Sequence, residues 1–90
     1  MNSVEGVNWY EEDKGRGPFI LRKSGTTTFV SKIDSRYYAR FGSPSPSVDF
    51  VLGWDNPSII RFATLVDAVY AAREVHKIEG VHISVETVDP

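Results

Sequence analysis

The chain has 90 residues, a formal net charge of −2 and no cysteine. This length supports one domain with one modest core, because so short a chain buries only about 60–65% of its unfolded surface. The charge excludes the strongly basic balance of a duplex-DNA binder and the acidic surface of a DNA mimic. The absence of cysteine excludes disulfides, thiolate nucleophiles and zinc ribbons. No apolar segment approaches the roughly 20 residues of a membrane span, so we expect a cytoplasmic protein.

Residues 1–17 are polar and punctuated by glycine. Only Val7, Trp9 and Tyr10 could anchor them to a core, as a short strand. We therefore expect a single domain over 1–90, and the sequence leaves open whether residues 1–17 attach loosely or fold back on the sheet.

Alternating β-branched and aromatic residues predict the strands that follow. Residues 18–23 (PFILRK) and 27–33 (TTFVSKI) are joined by Ser24-Gly25-Thr26, and glycine permits the positive φ of a tight hairpin turn. Further strands are predicted over 36–41, 49–54, 59–62 and 81–88. The proline-containing stretch 42–47 (GSPSPS) predicts a loop, and Asp55-Asn56-Pro57-Ser58 predicts a turn.

One helix is predicted to begin after Thr64, with Thr64 as N-cap and Asp67 three positions later approximating a capping box. Gly80 supplies the C-terminal stop. The helix carries one apolar stripe at helical spacing, formed by Leu65, Ala68, Val69, Ala72 and Val75. Such a stripe covers one sheet face and no more. The predicted fold is therefore α+β, an antiparallel sheet of about four or five strands with one helix packed on one face.

Catalytic constellations are weak in this sequence. His76 and His82, with Glu79 or Glu86, form half a metal site in one reading, and two unrelated surface histidines in the reading that we favour. Asp49 and Asp55 flank an apolar segment, but such residues are usually strand-end and turn formers. There is no serine elbow and no phosphate-binding glycine loop. We expect no catalytic residue, no metal, no cofactor and no enzyme activity.

A binding surface is predicted instead in the segment SRYYARFGSPSPS, residues 35–47. If 36–41 is a strand, Arg36, Tyr38 and Arg40 share the face that the helix does not cover. Tyrosine and arginine are enriched in protein interfaces, and the same row could also stack bases and hold phosphates. A solvated sheet face with cross-strand Arg–Tyr packing is the remaining reading.

The predicted partner-binding residues are Arg36, Tyr38, Arg40, Ser43, Ser45 and Trp54. Ser43 and Ser45 belong to the loop beside the row. For Trp54 we favour a plug at the edge of the core over an exposed anchor, and we include it as a candidate contact.

The segments FILRKSGTTTFVSKI and IIRFATLVDAVYAAREVHKIEGVHISVETV resemble small proteins of phages and mobile elements. The shared pattern is a hairpin, a short strand, a helix opened by Phe62, Thr64, Ala68 and Ala71, and a final strand after Gly80. The resemblance covers residues 18–88 and departs from the usual form in the long aromatic insertion GSPSPSVDFVLGWDNPS. It implies a compact sheet-plus-helix protein that acts by binding, in the manner of anti-defence and anti-CRISPR inhibitors.

The sequence thus predicts a non-catalytic module that occludes a surface of a host protein or complex, such as a CRISPR–Cas component. A single-stranded nucleic-acid binder is the alternative from another class, less favoured because the net charge is negative. A third reading is a small subunit that forms a homodimer through an exposed edge strand. We expect no membrane partner.

Overall fold

The computed structural model describes residues 2–13, 15–34 and 46–88. The strands are β1 (Asn2–Val4), β2 (Val7–Trp9), β3 (Phe19–Lys23), β4 (Thr28–Asp34), β5 (Ser47–Leu52) and β6 (Ile83–Thr87). The helix α1 covers Leu65–Glu79, and a short 3-10 turn covers Glu11–Asp13. The predicted strand over 36–41 lies outside the described residues.

The strands form one mixed sheet in the order β1-β2-β6-β3-β4-β5. Only β2 and β6 run parallel, and the other neighbouring strands are antiparallel. The predicted α+β class with one helix against the sheet is confirmed. The sheet has more strands than expected because residues 2–9 form a hairpin, β1 and β2, that joins it at β6.

The predicted helix boundaries are confirmed by both caps. The Thr64 hydroxyl accepts a hydrogen bond from Asp67 N, and Gly80 is left-handed with φ of 70°. The Thr64 hydroxyl satisfies one backbone amide of the first turn that has no partner within the helix. Glycine adopts the left-handed conformation of the C-cap without a steric penalty from a Cβ. The Gly80 amide donates back to His76 O.

The core lies between α1 and one face of the sheet. Small side chains on the helix, Ala68 and Ala72, are fully buried and allow the helix to approach the strands closely. Together with Val75 they confirm the predicted apolar stripe. The sheet contributes buried side chains at alternating positions of four strands: Val7, Phe19, Leu21, Val30, Ile83 and Val85.

Part of the opposite sheet face is covered by the segment between β5 and α1. Ile59 packs there against Ile20 and Phe29. Ile60 N donates to Val30 O on β4, while Phe62 exchanges two backbone hydrogen bonds with Phe19 on β3. This segment therefore ties β4 to β3.

The predicted strand over 59–62 is wrong in extent. Phe62 alone forms a bridge, to Phe19. A bulge between Val30 and Lys32 shifts the register of β4, and a bulge bends its strand and disrupts the local ladder. The segment contacts two different strands instead of following one, so it builds no ladder of its own.

Candidate functional site

Five of the six predicted partner-binding residues lie outside the described residues: Arg36, Tyr38, Arg40, Ser43 and Ser45. The segment that contains them joins the ends of β4 and β5 at Asp34 and Ser47, which pair with each other. Trp54 follows the opposite end of β5, where Leu52 pairs with Thr28.

Trp54 lies on the surface, with 65% of its area exposed, so the plug interpretation is wrong. Its backbone is held in a turn: Asn56 N donates to Gly53 O over 3.2 Å, and Ser58 N donates to Asn56 Oδ1 over 2.9 Å. Gly53 enters the turn with φ of 87°, a left-handed conformation that glycine adopts without strain. The neighbouring Leu52 is also 72% exposed. An ordered turn thus presents two large apolar side chains together.

The two histidines do not form a shared site. His76 Nδ1 lies 2.9 Å from Val81 O, and because a carbonyl only accepts, the ring nitrogen is the donor. His82 Nδ1 lies 2.8 Å from Ser24 Oγ, in the turn that follows β3. Within residues 2–13, 15–34 and 46–88, no group of three His, Cys, Asp or Glu side chains is placed to hold a metal ion.

The Ser24–His82 contact belongs to a chain of polar side chains across neighbouring strands. Ser84 Oγ donates to Asn8 Oδ1 over 3.3 Å. Ser24 Oγ lies 3.0 Å from Ser84 Oγ and 2.8 Å from His82 Nδ1. The buried Ser84 hydroxyl is thereby satisfied.

An apolar groove of about 340 Å³ lies on the surface between the first half of α1 and β2. We call it the helix groove. It is lined by Trp9, Glu11, Leu65, Val66, Val69, Tyr70 and Arg73.

The helix groove exists because α1 carries more apolar surface than the core needs. Leu65 and Val69 are half-buried, and Val66 and Tyr70 extend the apolar face outward at the same i, i+4 spacing. Val66 is 75% exposed and Tyr70 68% exposed. Together with the buried stripe, these side chains make the apolar face of α1 wider than one sheet face can cover. This excess was present in the sequence as Val66 and Tyr70 beside the predicted stripe.

The opposite wall of the helix groove depends on how the N-terminal hairpin docks. Alternation along β2 places Val7 and Trp9 on the helix side and Asn8 on the other, and Val7 is fully buried. Gly6, just before β2, has φ of 77°, and a Cβ there would lie 2.2 Å from the His76 ring. The hairpin therefore approaches α1 as closely as a glycine permits. This approach places Trp9, on the same face of β2 as Val7, in the wall of the helix groove.

One cation and one carboxylate mark the helix groove. Glu11 accepts a hydrogen bond from Asn2 Nδ2 at 2.9 Å. Further along the helix, Lys77 pairs with Glu74 at 4.0 Å. The ion pairs of the described residues include Arg16–Asp13, Arg22–Glu86 and Lys77–Glu74, and none involves Arg73. Arg73 thus lies at the end of an apolar surface, and no carboxylate of the described residues lies within ion-pair distance of it.

No protein-family model matches the chain, and neither a curated protein nor a solved structure matches it. Among the described residues, no helix is long and apolar enough to cross a membrane.

Proposed function

We propose that this protein is a non-catalytic binding module that docks a partner protein in the helix groove. The observation that carries the proposal is the exposed apolar stripe of Val66 and Tyr70 beside half-buried Trp9, in a concave surface of about 340 Å³. A concave apolar surface with a few polar groups beside it is the usual form of a binding site. Aromatic and arginine side chains are also the residue types that dominate interface energetics.

The proposed partner presents a large apolar side chain with a carboxylate beside it. The apolar side chain fills the groove between Trp9 and Tyr70, and the carboxylate pairs with Arg73. Arginine suits this role because its planar guanidinium binds a carboxylate with two parallel hydrogen bonds. The net charge of −2 disfavours a polyanionic phosphate backbone, which supports a protein over a nucleic acid as the ligand.

In its specific form the proposal is the one that the resemblance to phage and mobile-element proteins implies. The module would occlude a surface of a host protein or complex in the host cytoplasm, with a CRISPR–Cas component as one example. Trp54 is exposed on its ordered turn and does not line the helix groove, so its role as a contact stays a prediction. The row of Arg36, Tyr38 and Arg40 stays a prediction, as does the single-stranded nucleic-acid binding that would depend on it.

A pull-down from a bacterial lysate, with and without nuclease, tests the proposal when the wild-type chain is compared with Arg73→Ala and Lys77→Ala. We expect a protein that survives nuclease treatment and that is reduced about tenfold or more by Arg73→Ala, as for an interface arginine. Lys77→Ala is the matched control. It also removes one exposed cation from α1, four residues further on, and should leave recovery unchanged.

Equal losses for the two variants would mean that the partner responds to net charge and not to the helix groove. Recovery that disappears with nuclease would assign the binding to nucleic acid. Either result would overturn the proposed function.

A further inference from the structure

The outer edge of β5 is a second, separate candidate for binding. β5 is the last strand of the sheet, and no strand among the described residues pairs with its outer side. It is six residues long, Ser47–Leu52. It carries neither proline nor lysine, two of the features with which proteins commonly block edge pairing.

The direction of the free backbone groups follows from the ladder with β4. Gly53 N donates to Thr27 O over 2.9 Å, so Gly53 points toward β4. In an antiparallel ladder the groups of alternate residues point to opposite sides, so those of Leu52, Phe50 and Val48 point outward. Two side-chain contacts agree: Asn56 Nδ2 reaches the outward Leu52 O, and Ser31 Oγ donates to the inward Asp49 O.

We propose that β5 pairs antiparallel with β5 of a second copy of this chain, around a two-fold axis at Phe50. Phe50 then exchanges backbone hydrogen bonds with Phe50 of the second copy, and Val48 does so with Leu52. Every outward donor and acceptor in the strand finds a partner, and each Leu52 carbonyl can keep its Asn56 contact because it has two lone pairs.

Charge favours this register over the one whose two-fold axis lies at Asp49. With the axis at Phe50, Asp49 lies opposite Val51 of the second copy. With the axis at Asp49, two carboxylates would face each other in a non-hydrogen-bonded pair, where side chains approach most closely, and like charges there are destabilising. A chain with a net charge of −2 adds little further repulsion between copies.

The same register accounts for the exposed side chains at the end of β5. Leu52 lies on the helix side of the sheet, next to Val48 of the second copy, which removes it from water. Trp54 lies two residues further, near the position where β5 of the second copy begins. The register thus covers Leu52, which is 72% exposed in one copy.

Sedimentation across a wide range of protein concentration tests the dimer with Leu52→Lys. We expect a reversible dimer whose dissociation constant rises about tenfold or more in Leu52→Lys, since a buried leucine is replaced by a charge. Val66→Lys, the same change at an equally exposed position of the helix groove, is the control and should leave the dimer unchanged. A monomer at all concentrations, or equal effects of the two variants, would overturn the proposal.

Cysteine cross-linking tests the register, because the chain has no native cysteine. An oxidised mixture of Val48→Cys and Leu52→Cys chains should yield a mixed disulfide dimer. Leu52→Cys alone should yield none, since its two copies lie about 14 Å apart in this register. A dimer from Leu52→Cys alone, or no dimer from the mixture, would contradict the axis at Phe50. Neither experiment depends on the helix groove, so this proposal and the proposed function fail independently.

Discussion

Gly6→Ala is expected to lower the free energy of unfolding by about 2–4 kcal/mol, a large share of the stability of a domain this small. Two effects combine at this position. A Cβ at φ of 77° is strained in itself, and it would lie 2.2 Å from the His76 ring. The ring is held in place by its hydrogen bond to Val81 O and cannot turn aside without losing it. Urea unfolding followed by tryptophan fluorescence measures the loss.

Gly25→Ala is the matched control, because Gly25 has the same φ of 77° and nothing within 4 Å of the position of its Cβ. It should cost only the backbone strain, about 1–2 kcal/mol. The difference between the two variants isolates the contact with His76. Equal losses would show that the N-terminal hairpin does not approach α1 as described. Gly6→Ala should also weaken partner binding, since the hairpin places Trp9 in the helix groove.

Val66→Lys is expected to weaken partner binding about a hundredfold while leaving the folded chain intact. Val66 is 75% exposed, so the free protein keeps the lysine in water. Lysine is also the better helix former, and the free energy of unfolding should change by no more than about 0.5 kcal/mol. In the complex the ammonium would be taken out of water against the apolar side chain of the partner, which carries a desolvation cost. Titration calorimetry with the captured partner measures the effect.

Leu52→Lys serves here as the reciprocal control, because it places the same charge on a different exposed apolar surface. It should leave the affinity for the partner unchanged. A loss of affinity in Leu52→Lys with none in Val66→Lys would move the docking site from the helix groove to the corner at Trp54.

Local interactions explain which elements could be predicted from the sequence. Thr64 and Gly80 cap the helix through contacts within a few residues, and Gly25 permits the hairpin turn, so their effects are visible in short windows. The alternating segments of β3, β4, β5 and β6 are long enough to show a period of two.

Long-range pairing explains what could not be predicted. β2 is three residues long, and besides its local pairing with β1 it pairs with Ile83 and Ser84, far along the chain. Nothing within residues 2–9 indicates that partner. The conformation of residues 59–62 also depends on distant partners. Ile60 donates to Val30 O, and Phe62 exchanges two backbone hydrogen bonds with Phe19.

The candidate site depends on the same long-range packing. Trp9 and Tyr70 were both visible as aromatic residues, but they form one groove only because the N-terminal hairpin docks beside α1. For Trp54 the sequence favours a plug at the core edge over an exposed anchor, whereas the side chain is 65% exposed on its turn. Composition could identify the residue types of an interface, and only the fold could bring them together.

Photo-cross-linking from the helix groove tests the central claim most directly. Tyr70 is replaced by benzoylphenylalanine in one chain. In a control chain the replaced residue is Thr27, which is exposed in the turn between β3 and β4. Both are irradiated in a nuclease-treated bacterial lysate. We predict one protein adduct from position 70, its loss when Arg73→Ala is added, and none from position 27. No adduct from position 70, or the same adducts from both positions, would contradict a docking site in the helix groove.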